Sequence, residues 1–377
     1  MQPRPFQTDI LIAGAGPAGL ACAIACALQG LQVHIADAME PPIDKACGEG
    51  LLPDAVETLT SFGIDLIHGP ISEQTHALQG IRLLNDRGTT AESLFPTPGR
   101  GMRRTILHQL LLERAIALGV RFHWKNSVQG IESTPTGVSV RTNRQLLHTR
   151  FLIAADGHSS RIATWAGLTR STEYSRRIGL RQHYIATPWS SFVEVHWSRH
   201  GQAYVTPTAN HELCVAFVSN RKLESPATAL MLYPTLAARL HDAPLGGSPR
   251  GSITLGRKLH RVATRNIALI GDASGSVDAI TGEGLALCFR QAAALALALK
   301  ADNLALYQQS HRRIQRLPTL MSRALLLMDR SPRLRDRTLG IFQRSPRLFE
   351  RLLQIHIGHS PLPLLGVNSR LQPDYTC

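Results

Sequence analysis

The clearest pattern of apolar and polar positions lies in the first forty residues. DILIAG is a short apolar run that ends in glycine, which predicts a buried parallel strand. A glycine-rich turn follows, and LACAIACALQG is alanine-rich over the length of a helix. LQVHIAD is a second apolar run, which Asp37 closes. The pattern therefore predicts a strand, a tight turn, a helix and a second strand.

The turn GAGPAG, residues 14–19, has glycine at three positions with separate physical roles. Gly14 permits the tight turn, Gly16 lets a pyrophosphate approach the backbone, and Gly19 lets the helix pack closely on the strand. The helix then presents free N–H groups and its positive dipole end to the phosphates. Asp37 is placed to accept hydrogen bonds from a ribose diol. This combination predicts dinucleotide binding, without separating FAD from NAD.

Two later apolar runs also end in an acid. FLIAADGHSS runs into Asp156-Gly157, and RNIALIGDAS runs into Gly271-Asp272 before a glycine-rich loop and an alanine-rich helix. A second acid at a strand end suits a ligand longer than one nucleotide, and Asp272 is placed to bind a sugar-alcohol chain. The N–H groups of residues 281–284 open the next helix, where they would stabilise negative charge on a reduced ring. Taken singly, Asp156 and Asp272 are also typical of ordinary helix N-caps.

Residues 171–257 alternate apolar and polar positions in short runs, separated by turn-rich pieces such as TPWSS and PTAN. The alternation predicts an antiparallel sheet, which together with residues 73–99 would form a substrate domain over the cofactor. Four alternating polar residues of this region either line a site or face solvent, namely Arg181, His183, Tyr204 and Thr206. None of them is expected to be an essential base.

Residues from about 303 to 358 show helical periodicity and contain the near-repeat DRSPRL and QRSPRL. Ser-Pro begins a helix well, with Ser331 or Ser345 as N-cap and proline in the first turn. We expect two short helices with Arg on their outer faces and Leu, Phe and Ile on their inner faces. These helices either cover the core or contact an anionic membrane surface that supplies a lipid-like substrate.

Composition narrows the class of protein. The 377 residues carry a formal net charge of +14 but only 5% aromatic residues, and no basic run is interleaved with rings, so nucleic acid is not the expected partner. The six cysteines form no CxxC pair, so we expect neither a metal site nor a disulfide framework. The N-terminus MQPRPFQTD lacks the order of a signal peptide, and no apolar run is long enough to span a membrane. These features predict a cytoplasmic protein.

The motifs together resemble a known family. GAGPAG, the arginine-bearing helix RRTILHQLLLERA, ADG at 155–157 and GDASG at 271–275 are similar to motifs of the FAD-dependent monooxygenases of the para-hydroxybenzoate hydroxylase fold. The chain especially resembles their relatives among the geranylgeranyl reductases and flavin halogenases. The resemblance implies an α/β fold with a Rossmann-like FAD-binding domain of the glutathione-reductase type, an antiparallel-sheet substrate domain and a helical C-terminal tail. The implied boundaries are 1–72, 100–170 and 258–302 for the FAD-binding domain, 73–99 and 171–257 for the substrate domain, and 303–377 for the tail.

The same resemblance assigns roles along the cofactor. Arg104 would reach the phosphate region, and the backbone of Val128 would pass the adenine. Asp156-Gly157 would lie near the pyrophosphate, and Gly271-Asp272 would hold the ribityl chain. FAD is expected to be noncovalent, because no histidine or cysteine sits in a recognisable flavinylation motif. Pattern and resemblance together predict these cofactor-binding residues: Gly14, Gly16, Pro17, Ala18, Gly19, Asp37, Ala38, Lys45, Ala46, Cys47, Gly48, Arg104, Val128, Asp156, Gly157, Gly271, Asp272, Gly282 and Gly284.

The stretch DKACGEGLLP, residues 44–53, raises a separate question. In the reductases and halogenases a similar Lys-x-Cys-Gly-Gly stretch runs beside the isoalloxazine, so we expect residues 45–50, here called the wall segment, to lie along the flavin. Cys47 as a nucleophile would need a base, and none is near it in sequence. Glu49 either lies near the ring, where its pKa could shift and it could move protons, or faces solvent. The candidates near the flavin are Cys47, Glu49 and Glu283, and no residue is assigned as catalytic.

The expected function is an FAD-dependent oxidoreductase. The first hypothesis is an NAD(P)H-dependent monooxygenase of secondary metabolism that hydroxylates a small hydrophobic metabolite through a flavin hydroperoxide, and phenols are one class of such metabolites. NAD(P)H would bind transiently, because the chain has no second dinucleotide fingerprint. The alternative is a reductase of double bonds in a prenyl-type or polyketide substrate. The CGEG stretch favours that alternative, whereas AYVTPT replaces the aromatic-rich Tyr-x-Trp-x-Phe-Pro strand typical of it. A halogenase is disfavoured because Trp-x-Trp-x-Ile-Pro is absent.

Overall fold

The apolar runs next to the glycine turns form one sheet in the computed structural model, which describes residues 8–358. Its strands follow the order β6-β2-β1-β9-β8-β7, and β15 also pairs with β9. The pairs among β6, β2, β1, β9 and β15 are parallel, while β7, β8 and β9 form an antiparallel meander. The strands of this first sheet are β1 (Thr8–Ala13), β2 (Val33–Ala36), β6 (Arg121–His123), β7 (Val128–Ser133), β8 (Val138–Thr142), β9 (Leu146–Ala154) and β15 (Ile267–Leu269).

The register of the parallel strands brings the predicted loops to one edge. Ala13 pairs with both Ala36 and Ala154, and Leu269 also pairs with Ala154. Because parallel strands end at a common edge, the turns that follow them collect there. The glycine turn and the three acids Asp37, Asp156 and Asp272 are thus brought to the same edge of the first sheet.

Helices cover this sheet and complete the larger core. In α1 (Pro17–Leu28), proline stands in the first turn and the alanine-rich face lets the helix pack closely against α3 (Arg104–Ala117) and α7 (Gly284–Lys300). Two shorter helices complete this part of the chain: α2 (Pro53–Ser61) contacts α7, and α4 (Arg161–Trp165) contacts β7. Leu11, Leu20 and Phe289 are fully buried in this core.

A second sheet of nine strands has the order β16-β14-β10-β13-β12-β11-β4-β5-β3. It is antiparallel as predicted, except that β4 pairs with β11 in parallel, which a fully antiparallel prediction missed. Since β4 is far from β11 in sequence, no tight turn fixes their relative direction. The strands are β3 (Gly50–Leu51), β4 (His76–Asn85), β5 (Thr90–Gly101), β10 (Ser171–Tyr184), β11 (Phe192–Ser198), β12 (Gly201–Ala209), β13 (Glu212–Ser219), β14 (Arg250–Leu259) and β16 (Gly275–Ser276).

The two faces of the second sheet have different covers. On one face, Tyr184, Val215 and Phe217 pack with two short helices, α5 (Pro226–Leu230) and α6 (Pro234–Leu240). On the other face, Val195 and Trp197 pack with the C-terminal helices. The alternation predicted for residues 171–257 therefore holds in β11, where Val195 and Trp197 share one face. The opposite face, with Glu194 and His196, is buried as well.

The tail folds into α8 (Leu304–Arg330), α9 (Pro332–Arg344) and α10 (Pro346–His356). Both Ser-Pro sites begin a helix as predicted, and the Ser331 side chain accepts a hydrogen bond from Leu334 N. The tail packs its apolar side chains on the second sheet, which is the covering role that the sequence allowed. Arg335 departs from the outward pattern: it is buried and donates to Ser198 O. The predicted tail also includes residues 359–377, which lie outside the described residues.

The described helices were also compared with the dimensions of a bilayer. Within residues 8–358, no helix is both long and apolar enough to cross a membrane. Residues 1–7, the start of the N-terminus used in the sequence analysis, lie outside this range.

Candidate functional site

The glycine turn is fixed by backbone contacts at the edge of the first sheet. Gly14 has φ +110°, and its N–H donates to Ala36 O at 2.9 Å. A Cβ on Gly14 would collide with the carbonyl oxygen of Ala155, and a Cβ on Gly19 would collide with that of Gly14. Both positions therefore require glycine, for the turn and for the close packing of α1.

Other glycines leave open space around the same edge. A Cβ built on Gly16, Gly157, Gly282 or Gly284 meets no atom within 4 Å. Gly16 is the N-cap of α1, and Gly284 is the first residue of α7. The free N–H groups at the start of two long helices thus border a space without side chains. Such a cradle suits the phosphates of a dinucleotide at α1 and negative charge at α7.

Asp37 shapes the next part of the cradle. Its Oδ2 accepts from Ala15 N at 2.7 Å, and its Oδ1 accepts from Met39 N at 2.8 Å. These bonds orient the carboxylate at the end of β2, beside the exposed Ala38. The backbone oxygen of Asp37 also accepts from Asn126 N at 2.8 Å, just before Val128 begins β7.

A cavity of about 540 Å³ opens close to this carboxylate. It is lined by Glu40, Phe122, His123, Trp124, Lys125, Asn126, Arg144 and Gln145. Asn126, which lines the cavity, donates its N–H to the backbone oxygen of Asp37, so the cavity opens near this residue. Its lining combines polar and aromatic side chains.

Arg104 provides an unpaired cation. It is the first residue of α3, and its Nε is buried without a hydrogen-bond partner among residues 8–358. A buried guanidinium N–H without a partner is costly, so an anionic group is expected to complete this site. The orphaned donor and the open glycine cradle both fit a bound pyrophosphate.

The carboxylates of Asp156 and Asp272 differ in their hydrogen-bond partners. Asp156 is exposed, and its Oδ2 accepts from Arg161 N at 3.2 Å, so a capping contact accounts for it. The carboxylate of Asp272 is exposed and has no hydrogen-bond partner within the described part of the chain, so it is free for a ligand. The preceding Gly271 lies against α1, since its added Cβ would be 2.7 Å from Ala18 Cβ.

The wall segment is open on one side and anchored on the other. Lys45 and Gly48 are exposed, Cys47 is half-buried, and Ala46 lies between them. Glu49 is only 3% exposed, so the solvent-facing alternative for this residue was wrong. Its carboxylate accepts from Arg104 N at 3.1 Å and from His183 Nε2 at 2.5 Å. The carboxyl group is therefore held behind the segment, not free on its surface.

Glu283 belongs to the loop before α7, but its carboxyl is held within the protein. It is 1% exposed, and its oxygens lie 3.8 Å from Arg290 Nη2 and 3.7 Å from His356 Nδ1. Burial raises the pKa of this carboxyl above its ordinary value. The side chain links the loop to α7 and α10, while the backbone of its glycine neighbours borders the open space.

His108 and Gln291 support the site without having had a signal in the sequence. His108 Nε2 lies 2.9 Å from Ala15 O, and Gln291 Oε1 accepts from Gly271 N at 2.9 Å. Arg181 and His183 are buried, so their alternative of a solvated strand face was wrong. Each contacts the site across a long sequence separation, which no local pattern reveals.

The assembled edge can now be compared with known proteins. A family model described as an FAD binding domain matches residues 7–305. The chain belongs to this family. Together with the open cradle, the oriented Asp37 and the unpaired Arg104, this membership confirms FAD as the cofactor. The protein is an FAD-dependent oxidoreductase.

Similar proteins agree with this assignment. Digeranylgeranylglycerophospholipid reductase 2 of Methanosphaera stadtmanae is 27% identical over 308 residues, which are 74% of this chain and 74% of that protein. Menaquinone reductase of Mycolicibacterium smegmatis is 28% identical over 307 residues, covering 74% of this chain and 73% of that protein. The solved p-nitrophenol 4-monooxygenase PnpA of Pseudomonas putida DLL-E4 has a TM-score of 0.80 at 16% identity, covering 95% of this chain and 100% of that chain. The resemblance to the para-hydroxybenzoate hydroxylase fold and to its reductase branch is confirmed.

Proposed function

We propose that this protein is an FAD-dependent reductase that saturates carbon–carbon double bonds in the isoprenoid chain of a lipid or quinone. The proposal rests on the FAD-dependent oxidoreductase assignment and on relatives whose names specify a digeranylgeranyl lipid and menaquinone as substrates. Both of those molecules carry isoprenoid chains. The sequence favoured hydroxylation first and reduction second. The proposal reverses that order because apolar clusters border the wall segment and the loop before α7.

The observation that carries the proposal is apolar packing beside these segments. A Cβ on Gly50 would lie 3.6 to 3.8 Å from Thr206, Leu78 and Val193, so the end of the wall segment touches the second sheet. Leu78 belongs to an apolar cluster with Leu353 and Ile357 from the tail. Hydrocarbon gains most from such a desolvated environment.

The loop before α7 has a similar neighbourhood. Ile280 packs in one cluster with Leu83 and Val195 of the second sheet and with Phe349 of α10. Both segments expected beside the isoalloxazine therefore border apolar clusters that the second sheet and the tail share. The apolar surroundings of both segments support an apolar substrate.

The chain's own residues would hold the reactants and exclude water. Once reduced, bound FAD would supply hydride to one carbon of the double bond, and the other carbon would take a proton from the medium. We propose NAD(P)H as the reductant that regenerates the reduced flavin. The open backbone at Gly282 and Gly284 would hold negative charge at the start of α7. FAD would be noncovalent, so acid precipitation should release the yellow chromophore into the supernatant. Pigment that stays with the pellet would contradict this part of the proposal.

Substrates of this class reside in membranes, and the tail offers a surface for contact. Exposed leucines and isoleucine recur every seventh residue along it: Leu320, Leu327, Leu334, Ile341 and Leu348. After residue 300 the chain has twelve Arg and no Lys against five acids. We propose peripheral contact with an anionic lipid surface. Binding to anionic vesicles should weaken steeply with salt, because screening acts over about 8 Å at physiological ionic strength. Equal binding to neutral vesicles would contradict it.

Hydroxylation of a phenol remains the second candidate, for one observation. On β12, the strand AYVTPT stands where the reductase pattern has aromatic residues, and Thr206 Cγ2 would lie 3.6 Å from a Cβ built on Gly50 of the wall segment. This departure from the aromatic-rich pattern weakens the case for a prenyl-type substrate and favours hydroxylation.

One experiment distinguishes the two functions. Protein with FAD and NAD(P)H is incubated without oxygen with geranylgeraniol or menaquinone, and products are analysed by mass spectrometry. A gain of two hydrogens per reduced double bond is expected. Oxygen consumption that rises with phenols under air, with an oxygen atom in the product and no anaerobic reduction, would overturn the reductase proposal.

A further inference from the structure

Two acids, Asp44 just before the wall segment and Glu49 within it, contact a single guanidinium. Arg181 Nη2 donates to Asp44 Oδ1 at 2.8 Å, and its Nη1 lies 3.6 Å from Glu49 Oε1. Residues 45–48, the exposed part of the wall segment, lie between these two acids. The Arg181 side chain is only 4% exposed, so these charges interact in a desolvated place. The planar fork of arginine presents N–H donors to the two carboxylates in fixed directions, whereas the ammonium of lysine has no such fixed geometry.

His183 completes the contact from the same strand. Its Nε2 donates to Glu49 Oε2 at 2.5 Å, and its Nδ1 accepts from Arg181 Nη1 at 2.9 Å. Residues two apart on a strand share one face, which is why Arg181 and His183 act together. Both ring nitrogens are therefore engaged, and the ring orientation is fixed.

Glu49 also contacts Arg104, the residue expected near the phosphates. Its Oε1 accepts from Arg104 N at 3.1 Å, and its backbone oxygen accepts from Met102 N at 3.0 Å. Glu49 also has φ 59°, a left-handed conformation that a non-glycine residue keeps only where its surroundings hold it. One carboxylate thus joins the wall segment, the start of α3 and the second sheet.

A metal ion is a competing explanation for the same residues. Glu49, His183 and Cys214 place ligand atoms within 4.8 Å of one another. The Arg181 guanidinium already lies beside Glu49 and His183, and burial raises the pKa of the Cys214 thiol well above its ordinary value. A neutral thiol and a neighbouring cation both disfavour metal binding.

We propose that Arg181 and His183 are positioning residues that clamp the wall segment, through Asp44 and Glu49, against bound FAD. In this proposal Arg181 and His183 do not contact the reacting atoms themselves. They set the position of the wall segment, which lies against FAD. The inference rests on FAD as cofactor and not on the proposed reduction, so it stands whichever reaction the protein catalyses.

The test measures FAD affinity and the visible absorption and circular dichroism of bound flavin. Arg181→Met should weaken FAD binding by about 100-fold, because the buried Glu49 and the half-buried Asp44 lose the cation that joins them. Arg181→Lys should restore only part of the loss. His183→Phe should weaken FAD binding by about tenfold, and His183→Gln, which keeps a donor and an acceptor, should recover most of it. The flavin spectrum should shift in the variants that weaken binding.

Arg250→Met is the matched control. Arg250 Nε donates to Asp44 Oδ2 at 3.1 Å, but its side chain is 45% exposed. This variant should keep FAD affinity and spectrum, because an exposed ion pair contributes little. A loss equal to that of Arg181→Met would overturn the clamp.

Other outcomes would also overturn the proposal. If Arg181→Met fails to fold, Arg181→Lys and His183→Phe decide, and unchanged FAD affinity and spectrum in both would contradict it. Stoichiometric zinc in the purified protein, lost in Cys214→Ser, would replace the clamp by a metal site. Thermal melting of the FAD-free variants separates loss of fold from loss of positioning.

Discussion

The two sheets approach the cofactor by different means. The first sheet offers backbone: glycines that clear space, helix N-termini, and a carboxylate oriented by main-chain N–H groups. The second sheet offers buried charged side chains, Arg181 and His183, which reach the wall segment through Asp44 and Glu49. Backbone recognition needs only a few adjacent residues, whereas the side-chain contact needs residues that the fold brings together.

This difference explains which parts of the site the two regions control. The first sheet fixes where FAD is held, since its turns define the cradle. The second sheet holds the wall segment through Arg181 and His183, and it also packs with the tail in apolar clusters. The following changes test that division of roles.

The largest effect is expected at the glycine turn. Gly14→Ala combines a φ of +110° with a collision against Ala155 O, so the free energy of unfolding should fall by about 3 kcal/mol. Gly16→Ala meets no protein atom within 4 Å, so the FAD-free protein should melt like the parent. Its added methyl should nevertheless weaken FAD binding, because it fills the cradle. Chemical denaturation and FAD titration of both variants would show whether fold and binding separate in this way.

A second effect concerns His311, which supports the first sheet's edge by a 2.9 Å contact with Ser274 Oγ. Burial lowers the pKa of His311 to about 4 from an unfolded value of 6.5. The unfolded chain therefore takes up a proton first, and stability present above pH 6.5 is lost as pH falls toward 4. This group should account for about 3 kcal/mol of that loss.

The matched variant for this pH dependence is His311→Gln. Unfolding followed by urea between pH 7 and pH 4 should show a shallower decline in the variant than in the parent. Equal slopes would mean that His311 does not carry the acid sensitivity of this edge.

A smaller effect is expected in the tail helices that cover the second sheet. Ser331 caps α9 with a side-chain bond to Leu334 N at 3.3 Å, whereas Ser345 makes no such bond at the start of α10. Ser331→Ala should lower the free energy of unfolding by about 1 kcal/mol. Ser345→Ala should change it less. Thermal melts that rank the two variants in the opposite order would contradict the capping geometry.

The smallest effect is expected at Cys47. Its Sγ accepts from Glu49 N at 3.4 Å, a bond that a serine oxygen can also make. Cys47→Ser should therefore keep the flavin spectrum and most of the turnover, because the wall segment is held through Asp44 and Glu49. A variant with normal FAD content but turnover lower by orders of magnitude would place covalent chemistry on this thiol.

Local sequence predicted a large part of this protein. The strand, glycine turn, helix and acid of residues 9–37 could be recognised because each requirement is satisfied within a few residues. The Ser-Pro helix starts of the tail were recognisable for the same reason. The parallel pairing of β4 with β11 was missed, because pairing between distant strands depends on the path of the whole chain.

The sequence by itself thus determined the FAD-binding fold, the cofactor and the cradle that faces it, since backbone conformation follows from glycine, proline and apolar period. Only the tertiary structure decided that Glu49 is buried and that Arg181 and His183 meet it across 132 and 134 residues. A charged residue is typical of a solvated surface until the fold places a partner within hydrogen-bond distance. Burial and pairing are properties of the packed chain, which explains why local patterns left these residues undecided.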